Sequence, residues 1–270
     1  ENSYRDKTVN YFELFTTPET IWCATEKVHG CNFSATCDGS TVKWGKRTCF
    51  IPDEELISFN RADILKTKYN ESIMNLFNLL SQQLQLGSEE KPLQFIRVFG
   101  ELCGGKYAGY KNITKAVQKE ISYCPGIEFI VFDIYVGFED ILDSIEDNEE
   151  ENEFNNENGD GLYQNPATNT NPNPNPNYFL DMEYVISSCL EVQLPSSPIL
   201  SIGSLNDLLN LNPKFESKIY ELFELPQLKD NYCEGYVIKP LHEVHTPRGR
   251  IILKYKNPEF AEKSKFNPNK

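Results

Sequence analysis

Thr20-Ile21-Trp22-Cys23-Ala24-Thr25-Glu26-Lys27-Val28 is an apolar run rich in β-branched residues. His29-Gly30-Cys31 interrupts it, and Asn32-Phe33-Ser34-Ala35-Thr36 alternates again. Both runs predict strands. Cys37-Asp38-Gly39-Ser40 then leads into Thr41–Gly45, and Asp-Gly between alternating runs predicts a β-hairpin. The pattern is not a βαβ alternation, which disfavours a doubly wound nucleotide fold.

Working outward, Asn60–Leu86 predicts a helix. Ile64, Leu65, Ile73, Met74, Leu76, Phe77, Leu80 and Leu84 recur at three- and four-residue spacing, and Gly87 is a stop. Leu93–Glu101 and Ile127–Val136 predict buried strands. Phe179–Leu190 and Ser204–Leu211 predict helices, the second with Ser204 as N-cap. Glu234–Lys239 and Arg250–Lys256 predict strands, and Pro258 opens a short helix, Glu259–Lys263. The expected architecture is one α+β domain over residues 1–270, with mixed, largely antiparallel sheets packed with helices. Glu139–Asn177 is acidic and then Asn/Pro-rich, and Glu146–Asn177 is expected to be a disordered surface insertion.

The 270 residues carry a formal charge of −14, which argues at first against a nucleic-acid partner. Eleven acids and no Lys or Arg fall within residues 139–177, and removing that segment leaves −3. The remainder can therefore carry a local basic groove. Eight cysteines without a Cys-x-x-Cys pair predict reduced thiols in an intracellular protein, the compartment staying open. Three histidines without a paired cysteine exclude a zinc-ligand pattern. No apolar run is long enough for a membrane span. Neither the P-loop pattern nor Gly-x-Gly-x-x-Gly is present.

Several side chains could carry chemistry. Lys27, three residues before Gly30, could attack the α-phosphate of a nucleotide once deprotonated; the alternative is a solvated strand lysine. Gly30 would let the backbone turn close beside a sugar. Lys254 and Lys256, two apart on a strand, point to one face and could neutralise a triphosphate. Glu101 and Glu234 adjoin apolar strands and could hold a divalent metal, or be salt-bridged at a sheet edge. Phe132 and Asp133 would face opposite sides of a strand, Phe132 stacking on a purine or filling the core. Arg47 could make a bidentate phosphate contact or end a strand in solvent. His29 and Asn32 flank the Lys27 turn.

Five ordered segments together resemble the covalent nucleotidyltransferase superfamily of polynucleotide ligases and capping enzymes. They are Glu26-Lys27-Val28-His29-Gly30-Cys31-Asn32-Phe33, Phe99-Gly100-Glu101, Phe132-Asp133, Glu234-Gly235-Tyr236-Val237-Ile238-Lys239 and Lys254-Tyr255-Lys256. The first segment resembles the RNA ligase 2 family, which includes the phage enzyme and the kinetoplastid RNA-editing ligases. That resemblance implies an ATP-grasp-like adenylyltransferase fold around a nucleotide cleft, ATP as cosubstrate, and Mg²⁺ or Mn²⁺. It implies Lys27 as the adenylated nucleophile, with Glu26, His29 and Asn32 shaping the nucleotide pocket. Arg47 would contact ribose or a 5′-phosphate, and Glu101 and Glu234 the ribose or the metal's water shell. Phe132 would stack on adenine beside Asp133. Lys239 would line the pocket, and Lys254 and Lys256 would bind the α-phosphate and leaving group. The implied partner is RNA, as a nicked duplex or broken ends. Fourteen residues follow Lys256, so a further domain or a partner protein is expected to assist sealing. The rivals are a GTP-using capping enzyme, in which aspartate replaces His29, a DNA ligase, and a non-catalytic RNA-binding subunit.

Overall fold

The computed structural model describes residues 12–85, 92–112, 114–138 and 177–260. The acidic, Asn/Pro-rich stretch through residue 176 lies outside them, as do the expected helix stop at Gly87 and residues 261–263 of the short helix.

Strands β1 (Trp22–Glu26), β2 (Cys31–Cys37) and β3 (Val42–Gly45) follow one another as expected, and the first ends two residues short of Val28. The hairpin forms because the Asp38 carboxylate accepts the Ser40 and Thr41 N–H groups at 2.9 and 2.7 Å, while Gly39 takes φ +83°. Helix α1 (Asp63–Gln85) starts three residues later than the apolar pattern suggested, because Asn60 and Arg61 adopt left-handed φ of 51° and 61°. Its buried stripe of Leu65, Tyr69, Ile73, Leu76 and Leu80 follows the helical repeat.

After β4 (Phe95–Gly104) and β5 (Ile127–Gly137) come β6 (Tyr178–Phe179) and α2 (Met182–Glu191), so the expected helix at Phe179 begins as a strand. Strand β7 (Ile199–Gly203) was not anticipated. Ser204 caps α3 (Leu205–Leu209) as expected, accepting the Asp207 N–H at 3.2 Å. A short α4 (Ile219–Leu222) precedes β8 (Gly235–Pro240). The expected strand Arg250–Lys256 is split: Gly249–Arg250 (β10) pairs with β9 (His245–Thr246), and Leu253–Lys256 (β11) pairs with β8. Pro258–Phe260 forms a 3₁₀ turn.

The strands make a four-stranded sheet, β11-β8-β1-β7, and a five-stranded sheet, β3-β2-β4-β5-β6; every pair inside them is antiparallel. This is the expected α+β architecture. Phe33, Ala35, Val98, Phe129 and Ile134 put one face of the five-stranded sheet against α1 and α2. Trp22, Ala24, Tyr236 and Ile238 build a second core under the four-stranded sheet. The chain crosses between the sheets at Lys27–Gly30, where Val28 is buried with Cys103, Tyr123 and Ile130.

Two further links hold the sheets together. At the segment 195–198, Val131 N–H donates to the Pro195 carbonyl and Ser197 N–H to the Val131 carbonyl, both at 2.8 Å, and the Pro198 carbonyl accepts from Glu26 N–H at 2.9 Å. The second link is the buried Asp133, which binds Lys239 of β8 at 2.7 Å and Arg250 of β10 through both oxygens.

Candidate active site

Burial of Val28 turns the side chains on either side of it, Lys27 and His29, away from the core. The backbone is fixed by Lys27 N–H donating to Gly235 carbonyl at 2.9 Å and His29 N–H donating to Tyr123 Oη at 2.7 Å. Gly30 is also needed for packing within the protein. A Cβ there would lie 2.3 Å from the Leu102 carbonyl oxygen, so the turn could not pack on β4.

Glu234 is the carboxylate on which two lysines and a histidine converge. Lys27 Nζ lies 2.7 Å from Oε2, His29 Nδ1 3.2 Å from the same oxygen, and Lys256 Nζ 3.4 Å from Oε1. Burial opposes the Glu234 charge, but the hydrogen bonds from His29 and Lys27 outweigh it and hold the carboxyl at about 2. The same bond to Glu234 raises the His29 imidazole above its ordinary value. His29 also meets Glu120 at 3.4 Å and the edge of Phe260.

Glu101 stands on the next strand wall, directly opposite Asn32 across β2 and β4. Burial pushes its carboxyl up to about 7; Lys27 draws it down and Glu234 adds to the rise, so it shares their field. Lys254 joins the group: its side chain is exposed overall, but partial desolvation of the ammonium among its neighbours, then the charges of Lys27 and Arg47, lower its amine below the usual lysine value. Lys254 and Lys256 are exposed while Leu253 and Tyr255 pack against the β1–β8 core, as strand alternation predicts.

Three expectations need correction. Glu26 does not turn toward this group. It is 1% exposed and accepts from Ser217 Oγ and Lys218 N–H, both at 2.6 Å, and burial pushes its carboxyl up to about 7. A strand residue next to Lys27 points to the opposite side, so Glu26 braces the turn from behind. Phe132 and Asp133 do not simply alternate. Phe99 pairs with Asp133 and Gly100 with Val131, leaving Phe132 as the extra residue of a β-bulge, half-buried. Lys239 is 5% exposed; its ammonium binds Asp133 and the Phe132 carbonyl at 2.9 Å and lies 6.0 Å from the Phe132 ring centroid. It sits behind Phe132 rather than on an open wall. Burial opposes the Asp133 charge, and Lys239 and Arg250 together keep its carboxyl below the usual value. Arg250 and Glu243 complete that cluster, and the sequence pattern did not single either out, because their partners are about a hundred residues away or in an irregular hairpin.

A family model described as RNA ligase matches residues 20–256. The chain belongs to the RNA ligase family. Among curated relatives of the chain, the mitochondrial RNA-editing ligase 2 of Trypanosoma brucei brucei is 31% identical over a 134-residue alignment that covers 43% of this chain and 30% of that protein. Among solved structures, an apo mutant of Naegleria gruberi RNA ligase superposes with a TM-score of 0.50 at 14% identity, covering 95% of this chain and 54% of that one. The same ligase with PPi gives a TM-score of 0.48 at 14% identity, covering 91% and 52%. The first superposition supports the fold. The chain spans about half the length of these solved ligases and under a third of the curated one.

Proposed function

We propose that this chain carries the nucleotidyl-transfer centre of an ATP-dependent RNA ligase, with Lys27 as nucleophile. The observation that carries the reading is the convergence of Lys27, Lys256 and His29 on one carboxylate, Glu234, from segments about 200 residues apart. Family membership supports the ligase class.

In the first step the deprotonated Lys27 amine attacks the α-phosphorus of ATP. A P–N bond forms, the bond to the bridging oxygen breaks, and pyrophosphate leaves. Lys254 and Lys256 offset the charge on the phosphates and the leaving group, and pre-set cations of this kind do most of the work in phosphoryl chemistry. Phe132, lifted by its bulge, offers a ring to adenine, with Lys239 and Asp133 holding it from behind. Arg47, His29 and Asn32 supply polar contacts around the sugar or a 5′-phosphate. In the second step a 5′-phosphate oxygen of RNA attacks the lysyl-AMP phosphorus and Lys27 leaves. In the third a 3′-hydroxyl attacks the 5′-phosphorus, forming the phosphodiester and releasing AMP.

Among the described residues no cluster of three or more His, Cys, Asp or Glu side chains is placed to hold a metal ion. Glu101 and Glu234 nevertheless fit the way Mg²⁺ or Mn²⁺ is ordinarily held beside a nucleotide, by one or two carboxylates with phosphate oxygens completing the shell. Glu234 is already engaged by the Lys27 and Lys256 ammonium groups and the His29 imidazole, which leaves Glu101 the more open of the two to such an ion. Such an ion would neutralise charge on the phosphates.

The test is incubation of the purified chain with α-labelled ATP or GTP and Mg²⁺ or Mn²⁺. Wild type is expected to retain AMP covalently and Lys27→Ala to retain none. Equal labelling of the two proteins would refute the assignment, and labelling by GTP alone would convert it to guanylyl transfer. Scoring the adduct separately from joined RNA keeps nucleotidyl transfer distinct from sealing.

A further inference from the structure

The β4–β5 loop, residues 105–126, combines several features that the nucleotide centre does not use. Lys106, Lys111, Lys115 and Lys119 are all exposed, and no acid occurs from Leu102 to Lys119, in a chain of net charge −14. Among the described residues none of the four forms an ion pair, although acids outnumber Lys and Arg by 40 to 26. Between the lysines, the Tyr110 ring is 45% exposed and stands edge-on against Tyr107.

This loop is anchored. Tyr107 is 2% exposed and its hydroxyl donates to the Pro226 carbonyl at 2.5 Å. Val117 N–H donates to Gly104 carbonyl and Lys106 N–H to Cys124 carbonyl, both at 3.0 Å. It also reaches the nucleophile's turn: Gln118 Nε2 donates to the Gly30 carbonyl at 3.1 Å, and Glu120 meets His29. Charge left unpaired in an acidic protein, on a fixed support beside the reacting lysine, is what a polyanionic substrate requires. An exposed aromatic among the cations adds a stacking surface that an acidic peptide or a lipid headgroup would not use.

We infer that this loop is an RNA-docking face, on which Lys106, Lys111 and Lys115 take the phosphodiester backbone flanking the 5′-phosphate end and Tyr110 takes a base or sugar. The inference rests on the proposed nucleotidyl-transfer reading and extends it to substrate positioning.

The experiment compares wild type with a Lys106→Gln/Lys111→Gln/Lys115→Gln variant and the matching triple-Arg variant. Lys119 is left intact because it adjoins Glu120. Binding of a fluorescent nicked RNA duplex with a 5′-phosphate is read by anisotropy across a salt series, and AMP adduct formation is read in parallel. The triple-Gln variant is expected to bind roughly 10- to 100-fold more weakly at about 0.1 M salt, with a log-log salt slope flatter by roughly three. Triple-Arg is expected to restore both, and the AMP adduct is expected to be unchanged. Unchanged RNA affinity and slope in the triple-Gln variant would overturn the inference. So would parallel loss of the AMP adduct, which would mark the loop as structural support. Absence of any adduct in wild type would instead refute the nucleotidyl-transfer reading, whatever the RNA titration gave.

Discussion

At the scale of single residues, Lys27 and Glu26 show how adjacent strand positions divide the labour. Lys27 faces Glu234, while Glu26 is buried against Ser217 and Lys218. The Glu26 carboxyl titrates near 4.5 when unfolded and about 7 when folded, so the folded state holds its proton more tightly. Its stabilising contribution is therefore full below about 4.5 and is lost as pH rises through about 7, a gap of about 3 kcal/mol. Glu26→Gln keeps an acceptor for the Lys218 N–H without the buried charge. Urea unfolding at about pH 5 and about pH 8 should show wild type losing more stability over that interval than Glu26→Gln; identical slopes would contradict it. The Lys27 turn was legible from its lysine–glycine spacing. The orientation of Glu26 was not, because its partners arrive some 190 residues later.

At the scale of elements, β8 depends on its first residue. Gly235 holds φ +138°, and a Cβ there would sit 1.9 Å from the Tyr255 carbonyl oxygen of β11. Gly235→Ala is expected to part β11 from β8, displacing both Glu234 and Lys256. The expected loss is roughly 3 kcal/mol or more of unfolding free energy in denaturant titration, together with loss of AMP labelling, since strain and a backbone clash act on the same residue. Normal stability would show that β11 can shift at little cost. The β5 bulge is the other element-scale device. Strand runs are readable from alternation, but a bulge inserts a residue without altering composition, so Phe132 reads from sequence as an ordinary alternating position.

At the scale of the whole molecule, the buried cluster Asp133, Lys239, Arg250 and Glu243 bridges the sheets that carry the two sides of the site. Removing one member of such a group leaves charge buried without a counterion and costs about 3–5 kcal/mol. Asp133→Ala should therefore lower stability by that amount in chemical denaturation, because Lys239 loses its carboxylate while Arg250 keeps only Glu243. It should also weaken AMP labelling beyond the loss of folded protein, since Lys239, without its carboxylate, is held less firmly against the Phe132 carbonyl. A cost below about 1 kcal/mol would mean that the strap at 195–198 and the apolar cores suffice to join the sheets.

The sequence by itself determined the strand runs and the hairpin between the second and third of them, the amphipathic helix, and the order of the charged motifs, Lys27 among them. These follow from short-range rules of side-chain alternation, turn chemistry and residue type. Only the tertiary structure decided that Glu234 would gather two lysines and a histidine, that Glu26 would face away, and that Asp133 would meet Arg250. Those outcomes depend on which strands become neighbours and in what register, and charges far apart in the chain interact only after the sheets have closed.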